Sequence, residues 1–435
     1  MVNAFSLKSA AMTRPLVVFH YRKTAGRYAL NVLAGALEAC ADTREVEVAF
    51  PETVEATAEV LNAAAGRPVL VGWSFYSPVF EAAAADLARV RELAPTGAVH
   101  VAGGVHASAE PELTLRAGFD LAALGDGEPI ITELARRLGT GEPLAEVPGI
   151  ASLEDGRLVR RGRGLVEDLD HWPAGAPGAF RFGPIEITRG CIYACRFCQT
   201  PFFGKARFRH RSVANVRAYT ALMRAAGVRD YRFITPTALS YGSPDESVNL
   251  DAVEALLAGV RETVGPEGRI FFGTFPSELR PEHVSPAALA VIKRYVNNDN
   301  LIIGGQSGAQ TVLDRSGRGH DVDSVRAAVR YAVEAGFKVN VDFLFGLPGE
   351  TDDEVLASLQ LAEELARLGA RIHGHAFMPL PGTPYKDAPP ARLSEQTTRT
   401  LERLASRGQL YGPWQTHVQR ADRLARLRSG KGKKH

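Results

Sequence analysis

The stretch GCIYACRFCQT, Gly190–Thr200, holds three of the chain's four cysteines. Cys191, Cys195 and Cys198 stand in the spacing C-x3-C-x2-C, directly after PIEITRG, an apolar run that reads as a strand ending on a turn glycine. Such crowding in a cysteine-poor chain points to a metal site rather than a disulfide framework. Three thiolates on one loop suit an iron–sulfur cluster. A cluster held by three protein ligands leaves one iron free to bind a substrate or cofactor. Zinc completed by a remote histidine is the alternative, since structural zinc takes four protein ligands. The fourth cysteine, Cys40, falls in another predicted domain, on a helix.

Around this loop the chain reads as β/α throughout. From Pro184 onward, strand-like runs recur at Tyr231–Thr235, Arg269–Phe275, Asn300–Gly305, Lys338–Gly346 and Arg371–Phe377, with helical segments between them. Six β/α units predict an incomplete barrel, a partial (β/α)6 relative of the eight-unit barrel. Upstream, Leu16–His20, Val46–Phe50, Val69–Ser74, Val99–Gly104 and Asp120–Gly125 are short apolar runs separated by helical periodicity. They predict a doubly wound, flavodoxin-like α/β domain that binds ligands at the carboxyl ends of its strands. The expected boundaries are 1–140 for this domain, 141–181 for a Gly- and Pro-rich linker with a hairpin signal at ASLEDGRLVRRG, 182–385 for the barrel, and 386–435 for a helical extension with a basic tail.

The bulk numbers are those of a globular protein. The chain has 435 residues, 45% hydrophobic and 23% charged, with a formal net charge of +2. That near-neutral balance does not advertise a nucleic-acid partner. No apolar run approaches the ~20 residues that span a bilayer, and MVNAFSLKSAAMTRP lacks the apolar core of a signal peptide. A cytoplasmic protein with no membrane partner is expected.

The cysteine spacing, with Phe197 before the last cysteine and a strand before the first, resembles the radical SAM superfamily. The resemblance implies a [4Fe–4S] cluster on Cys191, Cys195 and Cys198. Its open iron would chelate S-adenosylmethionine (SAM), which one electron from a flavodoxin or ferredoxin cleaves to a 5'-deoxyadenosyl radical. Phe197 would lie near the adenine. GGQSGAQTVLDRSGRGHD (Gly304–Asp321) resembles the segment after the family's fourth barrel strand, implying SAM contacts from Gln306, Ser307 and Arg318. VDFLFGLPGET (Val341–Thr351) resembles the fifth strand and its turn, with Gly346 and Gly349 beside the adenosine. FPSELRPE (Phe275–Glu282) resembles the third-strand exit. There Ser277 and Glu278 are either ribose or amino-group contacts or turn residues. RFRHRS (Arg207–Ser212) resembles the stretch that closes the cluster loop, or is a solvated basic loop. His373 and His375 share a strand face, and are either substrate- or proton-handling groups or core histidines.

A flavodoxin-like domain ahead of such a barrel resembles the cobalamin-binding class. VGWSFYSP (Val71–Pro78), VAGGVHAS (Val101–Ser108) and GFDLAALGDGEP (Gly118–Pro129) carry the likeness. They imply corrinoid contacts at Ser74, Ser77, Gly103, Gly104, His106, Gly125 and Gly127. One departure matters: the D-x-H-x-x-G fingerprint is absent, and Phe19–Leu30 reads FHYRKTAGRYAL. His20 is therefore not assigned to cobalt, and the corrin's lower face is expected to be left uncoordinated or covered by Tyr21 or Arg22. The resemblance implies methylation of an unactivated carbon in a small-molecule or natural-product substrate. The alternative is a rearrangement, oxidation or RNA or peptide modification without methyl transfer. Methylthiotransfer is disfavoured, because only Cys40 remains for an auxiliary cluster.

Overall fold

The computed structural model describes residues 14–22, 26–203 and 207–428. The first residues and the basic tail from 429 onward lie outside them. The chain divides into two compact units, Met1–Gly183 and Pro184–His435.

The first unit is built on β1 (Leu16–Phe19), β2 (Glu47–Ala49), β3 (Val69–Ser74), β4 (Val99–Gly103) and β5 (Leu121–Ala123). These five strands are parallel in the order 2-1-3-4-5, the doubly wound flavodoxin-like arrangement. Strand alternation sorts the core. Val17 and Phe19 face the helices Arg27–Ala39 and Glu128–Thr140, burying Leu30, Leu37, Ile131 and Leu134. The helices Val54–Ala63 and Phe80–Leu93 pack together, with Leu61, Leu87 and Val90 fully buried outside that cluster. Residues 141–181, expected as a linker, instead extend the sheet. Here β6 (Ile150–Glu154) and β7 (Arg157–Arg160) form an antiparallel hairpin, and β6 pairs with β5. Ile150 and Ala151 are fully buried there, and their burial outweighs the loop-like composition around them.

The second unit is an open parallel arc. It runs β8 (Ile185–Glu186), β11 (Asp230–Ile234), β12 (Arg269–Phe271), β13 (Asn300–Gln306), β14 (Lys338–Phe345) and β15 (Ala370–Ala376). Between β12 and β13 the ladder is irregular: Ile302 N–H donates to Gly273 at 2.9 Å and Leu279 N–H to Ile302 at 2.9 Å. These are the six β/α units read from the sequence. Two additions were not. Thr188–Arg189 (β9) pairs antiparallel with Arg209–His210 (β10), tying down the entry to the cysteine loop. Leu410–Tyr411 (β16), from the C-terminal extension, joins β15 in parallel at Ile372 and His373. No helix of the described residues is long and apolar enough to cross a membrane.

Candidate active site

The cysteine loop opens on Gly190 and packs as a small core. Cys191 and Cys195 are buried, Cys198 is half-buried, and Tyr193, Phe197 and Phe208 fill the space around them. RFRHRS is not a solvated loop: Arg209 and Arg211 are buried, and Arg211 Nε donates to the Glu186 carbonyl at 3.1 Å. Burial pushes the Cys191 thiol up to about 12 and raises Cys198 as well. Metal loading at this loop therefore releases protons.

One cavity gathers the three cysteines with Phe197, Glu278, Arg280, Gln306, Arg318 and Asp342. Counting its open mouth it encloses about 780 Å³. Arg318 bridges two walls. Its Nη2 donates to the Gly304 carbonyl at 2.8 Å, its Nη1 lies 3.7 Å from Cys195 Sγ, and its Nε is buried without a partner. Arg280 holds Arg318 in place through the Arg318 carbonyl, and its guanidinium covers the Tyr193 ring at 3.5 Å. The Tyr193 hydroxyl donates to the Glu246 carbonyl at 3.2 Å and lies 2.9 Å from His283 Nε2. Gln306 ends β13 with φ +70° at a register shift. A non-glycine residue held there is a strained position of the kind that concentrates at functional sites.

Glu278 reaches the cavity, and burial, then the nearby Asp342, pushes its carboxyl up to about 7. Asp342 forms a cluster with the two candidate histidines. His373 Nδ1 lies 2.9 Å from Asp342 Oδ1, and His375 Nε2 lies 3.1 Å from His373 Nδ1. Burial works to raise Asp342, but the hydrogen bonds from His373 and His375 outweigh it and hold the carboxyl below its ordinary range. Both histidines are half-buried, and His373 lies opposite Asp342 in the β14–β15 register.

Four residues expected to touch SAM face elsewhere. Ser277 is fully buried and donates to the Thr274 carbonyl at 2.9 Å. Ser307 is fully buried against Ser358 Oγ at 3.0 Å. Each adjoins a cavity residue in the chain but turns its side chain into the packing, Ser277 in the turn after β12 and Ser307 just past the end of β13. Gly346 turns its open side to Ala391, and Gly349 to Arg315. Arg280, Tyr193 and Asp342 were missed.

In the first unit the pattern is similar. Ser74 and Gly103 are half-exposed at the carboxyl ends of β3 and β4. Gly104 has φ +89°, and a Cβ there would meet the Phe75 carbonyl oxygen at 2.7 Å. Ser77 and His106 are buried, with 2.9 Å between Ser77 Oγ and His106 Nδ1. The His106 ring stacks on Phe80, and burial pushes it down to about 4. Their side chains are interior packing, not a ligand surface. Gly125 and Gly127 make room for Gly164 and Leu33 of the chain itself. His20 is enclosed by Thr57 at 2.9 Å, Asp86 at 3.5 Å and the Trp73 ring. Tyr21 is buried, its hydroxyl donating to Asn31 at 2.7 Å, so it is not an exposed cover; Arg22 is half-buried against Asp86.

Residues 185–362 match the model of the Radical SAM superfamily. Among curated proteins, a tRNA-2-methylthio-N(6)-dimethylallyladenosine synthase of Leptothrix cholodnii is 26% identical over 306 residues, 69% of this chain and 60% of that protein. An uncharacterized methyltransferase of Pyrococcus horikoshii is 26% identical over 284 residues, 61% of this chain and 58% of that protein. The chain thus spans about three-fifths of these relatives' own length. The radical SAM methyltransferase TsrM of Kitasatospora setae, solved with cobalamin and a [4Fe–4S] cluster, superposes with a TM-score of 0.68 at 18% identity. That match covers 86% of this chain and 74% of TsrM. The cobalamin-dependent radical enzyme OxsB, solved with aqua-cobalamin and SAM, superposes at 0.67 and 16% identity, covering 92% and 62%. Likeness at this identity establishes the shared two-unit fold.

Proposed function

We propose that this chain, whose residues 185–362 form a radical SAM domain, is a cobalamin-dependent radical SAM enzyme that methylates an unactivated carbon of a small-molecule substrate. The observation that carries the reading is the single cavity in which Cys191, Cys195 and Cys198 face Arg318, Glu278 and Gln306. Three thiols and no fourth cysteine among the lining residues fit a [4Fe–4S] cluster with one iron left to a non-protein ligand. When bound, the cluster and SAM supply a 5'-deoxyadenosyl radical, and a corrinoid in the first unit supplies the methyl group.

The chain's own residues would position these groups. Arg318 lines the cavity with a buried Nε that has no partner, and would supply a permanently charged, directional donor to a carboxylate. Glu278, when ionised, accepts from an ammonium group. Phe197, Pro201 and Leu279 supply apolar walls that limit water. In the first unit, half-exposed Ser74 and Gly103 stand at strand ends, where open α/β sheets bind ligands. His20 is committed to Thr57 and Asp86, so the reading takes no cobalt ligand from it.

A second reading, modification of an RNA base, is favoured by the curated relatives named as tRNA-modifying enzymes. Anaerobic reconstitution with iron, sulfide and hydroxocobalamin tests the proposal. Cluster absorbance, corrinoid uptake, 5'-deoxyadenosine and S-adenosylhomocysteine are expected together. Cluster absorbance without corrinoid uptake would remove methyl transfer, and no SAM cleavage under any reductant would remove the radical reading.

A further inference from the structure

We infer that Asp342, His373 and His375 form a binding site for one divalent transition metal ion of the zinc class, separate from the cysteine loop. The three side chains come from two adjacent strands in register: Asp342 of β14 lies opposite His373 of β15, and His375 follows on the same face. Their donor atoms converge. Asp342 Oδ1 to His373 Nδ1 is 2.9 Å, His373 Nδ1 to His375 Nε2 is 3.1 Å, and His375 Nε2 to Asp342 Oδ1 is 3.9 Å. A triangle with these sides has its equidistant point about 2.0 Å from every corner, the zinc-to-nitrogen and zinc-to-oxygen distance of ~2.0–2.2 Å.

His373 Nδ1 has both Asp342 Oδ1 and His375 Nε2 within hydrogen-bond reach. A cation at the centre would replace that shared proton and accept a lone pair from each of the three donor atoms. The rings are already braced: His373 stacks on Tyr411 at 4.6 Å and 10°, and the Tyr411 hydroxyl donates to Asn340 at 3.1 Å. His375 stacks on His417 at 5.3 Å. Two histidines and one carboxylate leave coordination positions open. Asp342 lines the same cavity as the cysteines, so an open position there would take an oxygen- or nitrogen-bearing group of a molecule bound in that cavity.

The inference does not depend on the cluster, and its test separates the two. The full chain, loaded with iron and sulfide, is stripped of loose metal and titrated with Zn²⁺ against a competing chelator. Iron and zinc are then counted per chain. The wild type should hold one tightly bound zinc, falling at least tenfold in H373Q/H375Q at unchanged iron. D342N should weaken zinc at least tenfold. In a second arm, Co²⁺ is added to C191S/C195S/C198S. It should give d–d absorption without thiolate charge transfer, lost when H373Q/H375Q is added. A wild type that binds no zinc, or a double variant that binds as much, overturns the site. Failure of iron to load would instead count against the cluster.

Discussion

Arg318 Nη1 lies 3.7 Å from Cys195 Sγ while Nη2 of the same guanidinium donates to the Gly304 carbonyl at 2.8 Å. One side chain thus ties the sulfur of the cysteine loop to the end of β13. The cation and its hydrogen bond favour the more negative, reduced state of any cluster on that sulfur. Replacing Arg318 by Gln should lower the cluster potential. A loss of ~1 kcal/mol corresponds to ~40 mV for one electron. Anaerobic redox titration followed by electron paramagnetic resonance reads the shift, and an unchanged or raised potential would contradict the role.

Glu278 makes stability depend on pH. Burial, then Asp342, lifts its folded pKa to about 7, above the ordinary glutamate range. Folding therefore favours the protonated acid, and the stability it contributes is present below the unfolded pKa and lost as pH rises through about 7. The melting temperature of the cluster-loaded, SAM-free chain should fall between pH 5 and 8 relative to Glu278→Gln. The difference is on the order of 2 kcal/mol after allowing for solvent at the cavity mouth. Parallel melting curves for the two proteins would show that Glu278 does not titrate there.

Gly103 and Gly104 are neighbours with opposite tolerances. A Cβ on Gly103 meets nothing closer than 3.7 Å, whereas on Gly104 it meets the Phe75 carbonyl at 2.7 Å from a left-handed backbone. Gly104→Ala should cost ~1–3 kcal/mol. Gly103→Ala should leave the melting temperature within about 0.5 kcal/mol of wild type and reduce corrinoid uptake, followed by visible absorbance. Full uptake by Gly103→Ala would place the corrinoid away from β4.

Gln306 and Ser307 divide in the same way. Ser307→Ala leaves the Ala309 N–H without its side-chain partner, while Ser358 Oγ keeps the Gly308 N–H and the Glu354 carbonyl; this should cost ~1–3 kcal/mol of stability with an unchanged KM for SAM. Gln306→Ala should raise that KM at little cost in stability, because its side chain faces the cavity. Steady-state 5'-deoxyadenosine formation, compared with melting, separates the two; the reverse assignment would mean the strand end is rotated.

Much of this was legible in the sequence, for physical reasons. Continuous apolar runs such as VLVGWS report strands buried on both faces, and C-x3-C-x2-C reports its own chemistry. What motifs do not carry is direction. Ser277 and Ser307 adjoin true cavity residues in the chain, but the turn after β12 and the end of β13 bond their hydroxyls to Thr274 and Ser358 inside the fold. Asp342 was readable in principle: Val341, Phe343 and Phe345 are buried in strict alternation with Asn340 and Asp342, so a carboxylate was bound for the barrel interior. The two-residue strand β16 had no local signal, because its pairing is made entirely with β15, far away in sequence.

The segment that matches the family ends at residue 362, between β14 and β15. His373, His375, Tyr411 and His417 all lie beyond it. The cysteines and Arg318 thus fall inside the matched segment, while β15 and the extension follow it. Changes confined to residues 370–417 would alter what packs beside Asp342 while leaving the residues that line the sulfur-bearing cavity unchanged. Two proteins with the same signature loop can differ completely in what they act upon, and a chain cut before Leu410 would lose the aromatic plate under His373 without losing any residue of the signature.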